Sequence, residues 1–268
     1  MKNAEQKNMK NASLVVVGVG IKFKSHLTVE AEAYIKESDV VFYLVNEPAM
    51  KEWIQITNPN AESLDKFYAK HSYRLHCYRA MTEHVIHALR KNQHVCFALY
   101  GHPTILAKPG LDAVLQAKTE GYYTKILPGI SAEDCLLADL LVNPGSSGCQ
   151  SYEATDFLIY RRRIDSSNHI ILWQVGIIGA LGYPKSHDNT LGAHVLTETL
   201  KSYYDSDHPV TLYQAAQYPH FEPLIHTIPL KNLASAKFPS MTTLYIPPAY
   251  TLKCDQAMLK ALNMHISN

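Results

Sequence analysis

Two short stretches concentrate the side chains able to do chemistry: Phe67-Tyr-Ala-Lys-His-Ser-Tyr-Arg-Leu-His-Cys-Tyr78 and Leu99-Tyr-Gly-His-Pro103. They supply Tyr68, Tyr73, Arg74, Tyr78 and Tyr100, phenols and a guanidinium with no carboxylate among them. Such a set makes a poor hydrolytic site. It suits a site that holds a neutral carbonyl and stabilises negative charge growing on oxygen, because phenol and guanidinium both donate hydrogen bonds. The chemistry implied is group transfer onto an unreactive acceptor. The chain has no Gly-x-Ser-x-Gly elbow, which argues against a serine hydrolase.

The elements that must position these residues can be read from the apolar pattern. β-Rich runs at 14–19, 40–44, 95–99, 124–127, 170–174, 210–213 and 242–246 alternate with helical patterns at 29–37, 78–91, 113–120, 132–141 and 194–204. Strand alternating with helix predicts an α/β architecture with a largely parallel sheet. Tyr100-Gly-His-Pro103 and Gly18-Val-Gly20 each follow a strand, at the carboxyl edge where ligands collect. The Gly18-Val-Gly20 turn offers room for a cofactor to approach backbone, but it lacks the third glycine of GxGxxG, and a plain strand-to-helix turn is the alternative. In Pro128-Gly-Ile-Ser-Ala-Glu-Asp134, Ser131 and Asp134 make a capping-box-like helix start. Its free N–H groups suit an anion, with ordinary capping as the alternative. The same turn is the candidate junction between domains at 13–127 and 128–250, followed by a tail at 251–268 whose 255–266 stretch has helical spacing.

Composition narrows the partners. The 25 basic and 24 acidic residues leave a formal charge of +1, so nothing in the overall charge favours nucleic acid or an anionic membrane. The five cysteines form no CxxC pair and no secretory leader is apparent, which points to reduced thiols in a cytoplasmic protein. The apolar 14–20 run is too short and glycine-interrupted to span a membrane, and the polar residues 1–12 read as a frayed tail. His84 and His87 sit three apart on an expected helix, yet without HExxH or a clustered carboxylate or cysteine no metal is expected. Arg161-Arg-Arg163 reads as a solvated face, with an acidic peptide or phosphate contact as the alternative.

The order Gly18-Val-Gly20, Tyr68, Arg74, Tyr78, Tyr100-Gly-His-Pro103, Pro128-Gly-Ile-Ser-Ala-Glu-Asp134, Ser151-Tyr-Glu-Ala154 and Trp173-Gln174 resembles the borosin peptide α-N-methyltransferases of the tetrapyrrole (corrin/porphyrin) methylase superfamily. The resemblance runs from Leu14 to Pro248. It implies the two-domain class III methyltransferase fold with largely parallel sheets, S-adenosyl-L-methionine as cofactor with S-adenosyl-L-homocysteine as product, and a homodimer. It also implies catalytic roles for Tyr68, Arg74, Tyr78 and Tyr100. Cofactor contacts are implied at Tyr100, His102, Ile105, Ser131, Ala132, Gln174, Tyr213, Ala215, Thr242 and Thr243. Two departures refine it. Tetrapyrrole methylases proper usually carry a Gly-Pro-Gly-Asp-Pro type loop after the first strand and Gly-Asp-Pro at the later turn, where this chain has Ile21-Lys-Phe-Lys-Ser-His-Leu-Thr28 and Gly101-His-Pro103. Fused borosin enzymes carry their substrate as an extension, whereas this chain stops about twenty residues after Pro248, so it resembles the split type acting on a separate precursor peptide. Related split enzymes have a longer loop between Tyr68 and Arg74, which leaves Arg79 as the alternative to Arg74 and Tyr73 as the alternative to Tyr78. Methylation of a small molecule or tetrapyrrole, or a non-catalytic cofactor-binding peptide scaffold, are the competing functions.

Overall fold

A computed structural model describes residues 11–70, 73–180, 182, 187–237 and 239–264. Residues 1–10, His71 and Ser72 in the motif before Arg74, and His265 and Ile266 of the expected tail helix lie outside the described residues.

By its contacts the chain forms two compact units. The first runs to Val142 and also takes in Gln214–Leu224 from further along. It contains β1 (Ser13–Gly18), β2 (Val40–Leu44), β3 (Ala61–Ser63), β4 (His94–Leu99) and β5 (Tyr123–Leu127), in the order β3-β2-β4-β1-β5 with every pair parallel. The β-branched run of β1 lies at the interior of the sheet and is buried on both faces, as such strands require. Leu14 and Val16 join one core with Phe97, Met81 and Val85, while Val15 and Val17 join another with Ile35, Met50 and Ile54. The helices divide accordingly. Apolar residues of α1 (Val29–Glu37) and α2 (Pro48–Thr57) fill the second core. After the short α3 (Lys66–Lys70), α4 (Arg74–Arg90) and α5 (Lys108–Thr119) fill the first, and α6 (Ala132–Asp139) follows β5. Side-chain caps set the starts: Thr28 accepts from the Ala31 N–H, and Glu47 accepts from Ala49 and Met50 ahead of a proline at the first helical position.

The second unit contains α7 (Pro144–Ser147), β6 (Cys149–Glu153), α8 (Ala154–Ile159), β7 (His169–Trp173), α9 (Thr190–Leu200), β8 (Pro209–Gln214), β9 (Leu224–Pro229), β10 (Thr243–Ile246) and α10 (Gln256–Ala261). Its sheet order is β6-β7-β10-β8-β9. This sheet is mixed: β6 pairs parallel with β7, and β10 runs antiparallel to both β7 and β8. Ile170, Leu172, Leu212 and Leu244 pack with Phe157, Leu196 and Leu200 in its core. The division at 127/128 remains a proposal about chain organisation; by contacts α6 belongs with the first unit.

One close approach governs the first unit. A Cβ on Gly18 would stand 2.3 Å from the Gly101 carbonyl oxygen and 3.0 Å from the Gly129 Cα, and Gly101 itself adopts the left-handed φ of 70°. Gly20 and Gly101 exchange backbone hydrogen bonds of 3.3 and 3.0 Å. Gly18→Ala is therefore expected to destabilise the protein by about 1–3 kcal/mol through overpacking. Urea unfolding checks this, and an unchanged midpoint would show that the three turns are not in contact.

Candidate active site

Because every strand of the first sheet is parallel, the connections after β1, β2, β3, β4 and β5 all leave from one edge. Tyr100 is the first residue beyond β4, and its N–H donates to the Leu44 carbonyl at the end of β2, 3.0 Å away. Its hydroxyl is hydrogen-bonded to the side chain of Gln217. Burial pushes the phenol's pKa up, with the Gln217 bond working in the opposite direction. Tyr100 is thus a neutral phenol at physiological pH and keeps a proton to donate. Next, Gly101 turns the chain and His102 Nδ1 accepts from both the Thr104 N–H (3.2 Å) and the Thr104 hydroxyl (3.0 Å). Ile105, whose N–H donates to the His102 carbonyl, is partly exposed.

Two sequence expectations acquire a different use here. The space beside Gly18 is filled by the protein's own Gly101, Pro103 and Gly129, and a Cβ on Gly20 (φ 74°) would stand 2.1 Å from the His26 Cβ. These glycines serve turn-to-turn packing where the sequence offered room for a ligand. In the same loop His26 Nδ1 accepts from the N–H groups of Ile21 and Lys22, and burial together with the Lys22 ammonium holds the imidazole below its usual pKa. Ser131, buried, is the N-cap of a complete capping box: its N–H and hydroxyl both donate to Asp134, at 2.6 and 2.7 Å, and its oxygen accepts from the Asp134 N–H. The Ser131 N–H is therefore committed to the helix start.

Tyr68 lies half-buried on α3 against the first core, with its N–H bonded to the Asp65 carbonyl. Arg74 opens α4 and is half-buried; Tyr78, one turn on, is 7% exposed and part of the core. Their i, i+4 spacing puts both on one face of α4. Tyr73 and Arg79 are exposed. Arg74 and Tyr78 are thus less exposed than their alternatives.

In the second unit, pairing register gathers Gln174, Tyr213, Thr242 and Thr243. Thr243 stands opposite Tyr213, Leu244 opposite Leu172, and the Val175 N–H donates to the Thr242 carbonyl at 3.1 Å. Gln174, the residue after β7, adopts a left-handed conformation (φ 60°). Thr242 is fully buried, and its hydroxyl has no hydrogen-bond partner among the described residues. A buried polar atom of this kind ordinarily finds a partner, and a bound ligand supplies one. Glu153, opposite Trp173 in the register, offers a second such atom. One carboxylate oxygen accepts from the Asp156 N–H at 2.7 Å, while Oε1 is buried without a partner among the described residues. No local sequence signal marks Glu153 or Gln217. Ala215, in the segment belonging to the first unit, is half-buried, and Ala132 opens α6 behind Ser131.

His84 pairs with Glu62 at 3.0 Å and packs between Phe42 and Phe67, whereas His87 is exposed. Among the described residues no group of three or more His, Cys, Asp or Glu side chains could hold a metal. Arg161, Arg162 and Arg163 are exposed, with Arg162 over the Tyr160 ring. All five cysteines are free thiols. No helix among the described residues is long and apolar enough to cross a membrane.

The family described as Tetrapyrrole (Corrin/Porphyrin) Methylases matches residues 13–233. The chain belongs to this family. Within it, the chain is 37% identical to the methyltransferase/ribosomally synthesized cyclic peptide gymnopeptides precursor gymMA1 of Gymnopus fusipes, over 92% of this chain and 60% of that protein. It is 35% identical to the type I borosin cyclic peptide precursor cmaMA of Coprinopsis marcescibilis, also named a methyltransferase, over 96% of this chain and 68% of the relative. The chain thus belongs with the borosin methyltransferase/precursor proteins and spans about three fifths of the gymMA1 relative. The fold matches the crystal structure of uroporphyrin-III-C-methyltransferase from Thermus thermophilus with a TM-score of 0.65 at 16% identity, over 96% of this chain and 98% of that one. A two-domain α/β tetrapyrrole-methylase fold is the observed class.

Thr242 gives a direct check on ligand binding. Thr242→Val removes a buried hydroxyl without a partner and keeps the shape, so the ligand-free protein should be as stable as wild type or slightly more so. Affinity for S-adenosylmethionine should fall roughly two- to tenfold, the value of one hydrogen bond. Calorimetric titration with wild-type affinity would remove Thr242 from the site.

Proposed function

We propose that this protein transfers methyl groups from S-adenosyl-L-methionine to backbone amide nitrogens of a separate ribosomal precursor peptide. The observation that carries the reading is Tyr100, a phenol kept neutral by burial at the carboxyl edge of a parallel sheet. Methyltransferase/cyclic peptide precursor relatives supply the substrate class. The reading includes a homodimer and a cytoplasmic location.

A peptide nitrogen is a weak nucleophile because its lone pair is delocalised into the carbonyl. Reaction needs help at oxygen and removal of the N–H proton. Tyr100 and Tyr68 donate hydrogen bonds to the substrate carbonyl and stabilise its oxygen as imidate-like charge grows. Arg74 brings a cation beside the group that accepts the amide proton, Tyr78 or a water. Tyr100, His102, Ile105, Ser131, Ala132, Gln174, Tyr213, Ala215, Thr242 and Thr243 hold the cofactor, which when bound supplies an electrophilic methyl on a sulfonium. The orphan hydroxyl of Thr242 fits a ligand that brings its own polar groups.

Tyr100→Phe and Arg74→Ala should each slow methyl transfer by at least about tenfold while cofactor affinity stays close to wild type, the pattern of a contact made in the transition state. Single-turnover rates and calorimetry read the two quantities separately. Wild-type rates in both variants would remove these residues from the chemistry.

A further inference from the structure

We infer that residues 159–163, at the exposed end of α8 in the second unit, are a docking surface for an acidic segment of the precursor peptide. The inference rests on the proposed function for its partner, a separate peptide, and goes beyond it in assigning where that peptide is held away from its methylated residues.

The run reads Ile-Tyr-Arg-Arg-Arg, and all five residues are exposed, Ile159 and Tyr160 at 63% each. The backbone holds them in one arrangement. The Arg161 N–H donates to the Leu158 carbonyl at 3.1 Å and the Arg162 N–H to the Phe157 carbonyl at 3.0 Å, the paired bonds of a Schellman turn. That turn puts Arg161 at a left-handed φ of 48°, a conformation glycine adopts without steric cost. Ile164 is buried and pins the far end of the run, and the Arg162 guanidinium lies 5.3 Å from the centre of the Tyr160 ring. Cations elsewhere on this unit face carboxylates, Lys201 with Glu198 at 2.7 Å and Lys231 with Asp207 at 2.5 Å. Arg161, Arg162 and Arg163 have no such partner among the described residues. Asp165, two residues on, instead accepts the Ser167 N–H and hydroxyl at 2.9 and 2.7 Å.

The helix dipole rewards a cation in the last turn. It gives no reason for three, nor for arginine at the left-handed position. Successive guanidinium forks without internal partners match carboxylates, which they bind in bidentate fashion. Ile159 and Tyr160 add apolar surface for the side chains between those carboxylates. Turn and ring contact order the run before docking, so less entropy is lost on binding. Nucleic acid fits less well, because duplex binding commonly neutralises about six to ten phosphates and the chain's net charge of +1 supplies no wider field. A membrane-surface helix would need a broad apolar face to give to lipid, whereas α8 buries Ala154 and Phe157 in the protein.

Two arms test this on the full chain. In the first, a short fluorescein-labelled peptide of alternating Glu and Leu is titrated by anisotropy. Its affinity should fall with salt, about two- to fivefold in Arg162→Ala, and at least about tenfold when Arg161→Glu, Arg162→Glu and Arg163→Glu are combined. Arg161→Gly removes one guanidinium while suiting the turn; it should weaken binding about two- to fivefold and serves if the triple variant does not fold. In the second arm, on the peptide that the wild-type protein methylates, the triple variant should raise KM at least about fivefold with kcat unchanged. Replacing the acidic residues of that peptide by Lys should restore its binding to the triple variant, a rescue that a merely structural role would not give. Unchanged anisotropy across the folded arginine variants overturns the inference, as does tighter arginine-dependent binding of phosphatidylserine vesicles or a single-stranded oligonucleotide. So does a methylated peptide whose KM is indifferent to the triple variant. A protein that methylates no peptide overturns the proposed function instead, and the anisotropy arm then decides on the surface by itself.

Discussion

Three glycines in van der Waals contact at the carboxyl edge of the first sheet are the constraint on which the candidate site depends. With the Gly101 oxygen 2.3 Å and the Gly129 Cα 3.0 Å from where a Gly18 Cβ would stand, the turns after β1, β4 and β5 have a single mutual arrangement. Tyr100 immediately precedes one of these glycines and Ser131 lies two residues beyond another. Their positions follow from backbone packing, with little left to side-chain freedom. That rigidity matters for chemistry that works by hydrogen bonds aimed in advance at developing charge.

Burial then has a chemical consequence. A phenol taken out of water must find a partner or lose stability. Tyr100 finds Gln217, from a segment nearly 120 residues further along that is held to the first unit through Phe23 and Glu47. The same burial keeps the phenol protonated, and only a protonated phenol can donate to a carbonyl. In the second unit Thr242, just before β10, and Glu153, at the end of β6, hold buried oxygens whose hydrogen bonds are not made within the described residues; β10 and β6 flank β7, and both residues lie at the end of the sheet where β7 finishes.

Much of this was legible in the sequence where local pattern and tertiary burial agree. Val29–Glu37 has its cap residue and apolar spacing, and β1, β2 and β4 are unbroken apolar runs. Short or half-buried strands were not legible: Ala61–Ser63, Cys149–Glu153 and Leu224–Pro229 lie at sheet edges or expose polar side chains, so their pattern is weak. Pro48–Thr57 carried a readable signal, an acidic cap followed by proline, that the apolar pattern did not use. α4 begins at Arg74, before its expected start at Tyr78, because its first turn is polar and lacks a side-chain cap. For the site, motif order picks out Tyr68, Arg74, Tyr78 and Tyr100 as candidates, and Arg74 and Tyr78 are less exposed than their alternatives Arg79 and Tyr73. The glycine contact and the return of 214–224 are tertiary facts with no local sequence trace.

The central claim is that a separate peptide is methylated on its backbone nitrogen. It is tested most directly by incubating the protein and S-adenosylmethionine with peptides encoded beside it and locating added methyl groups by tandem mass spectrometry. Fragment ions should place every methyl group on an amide nitrogen of the peptide, with the mass of the protein itself unchanged. Methyl groups on side chains, or on the protein, would contradict it.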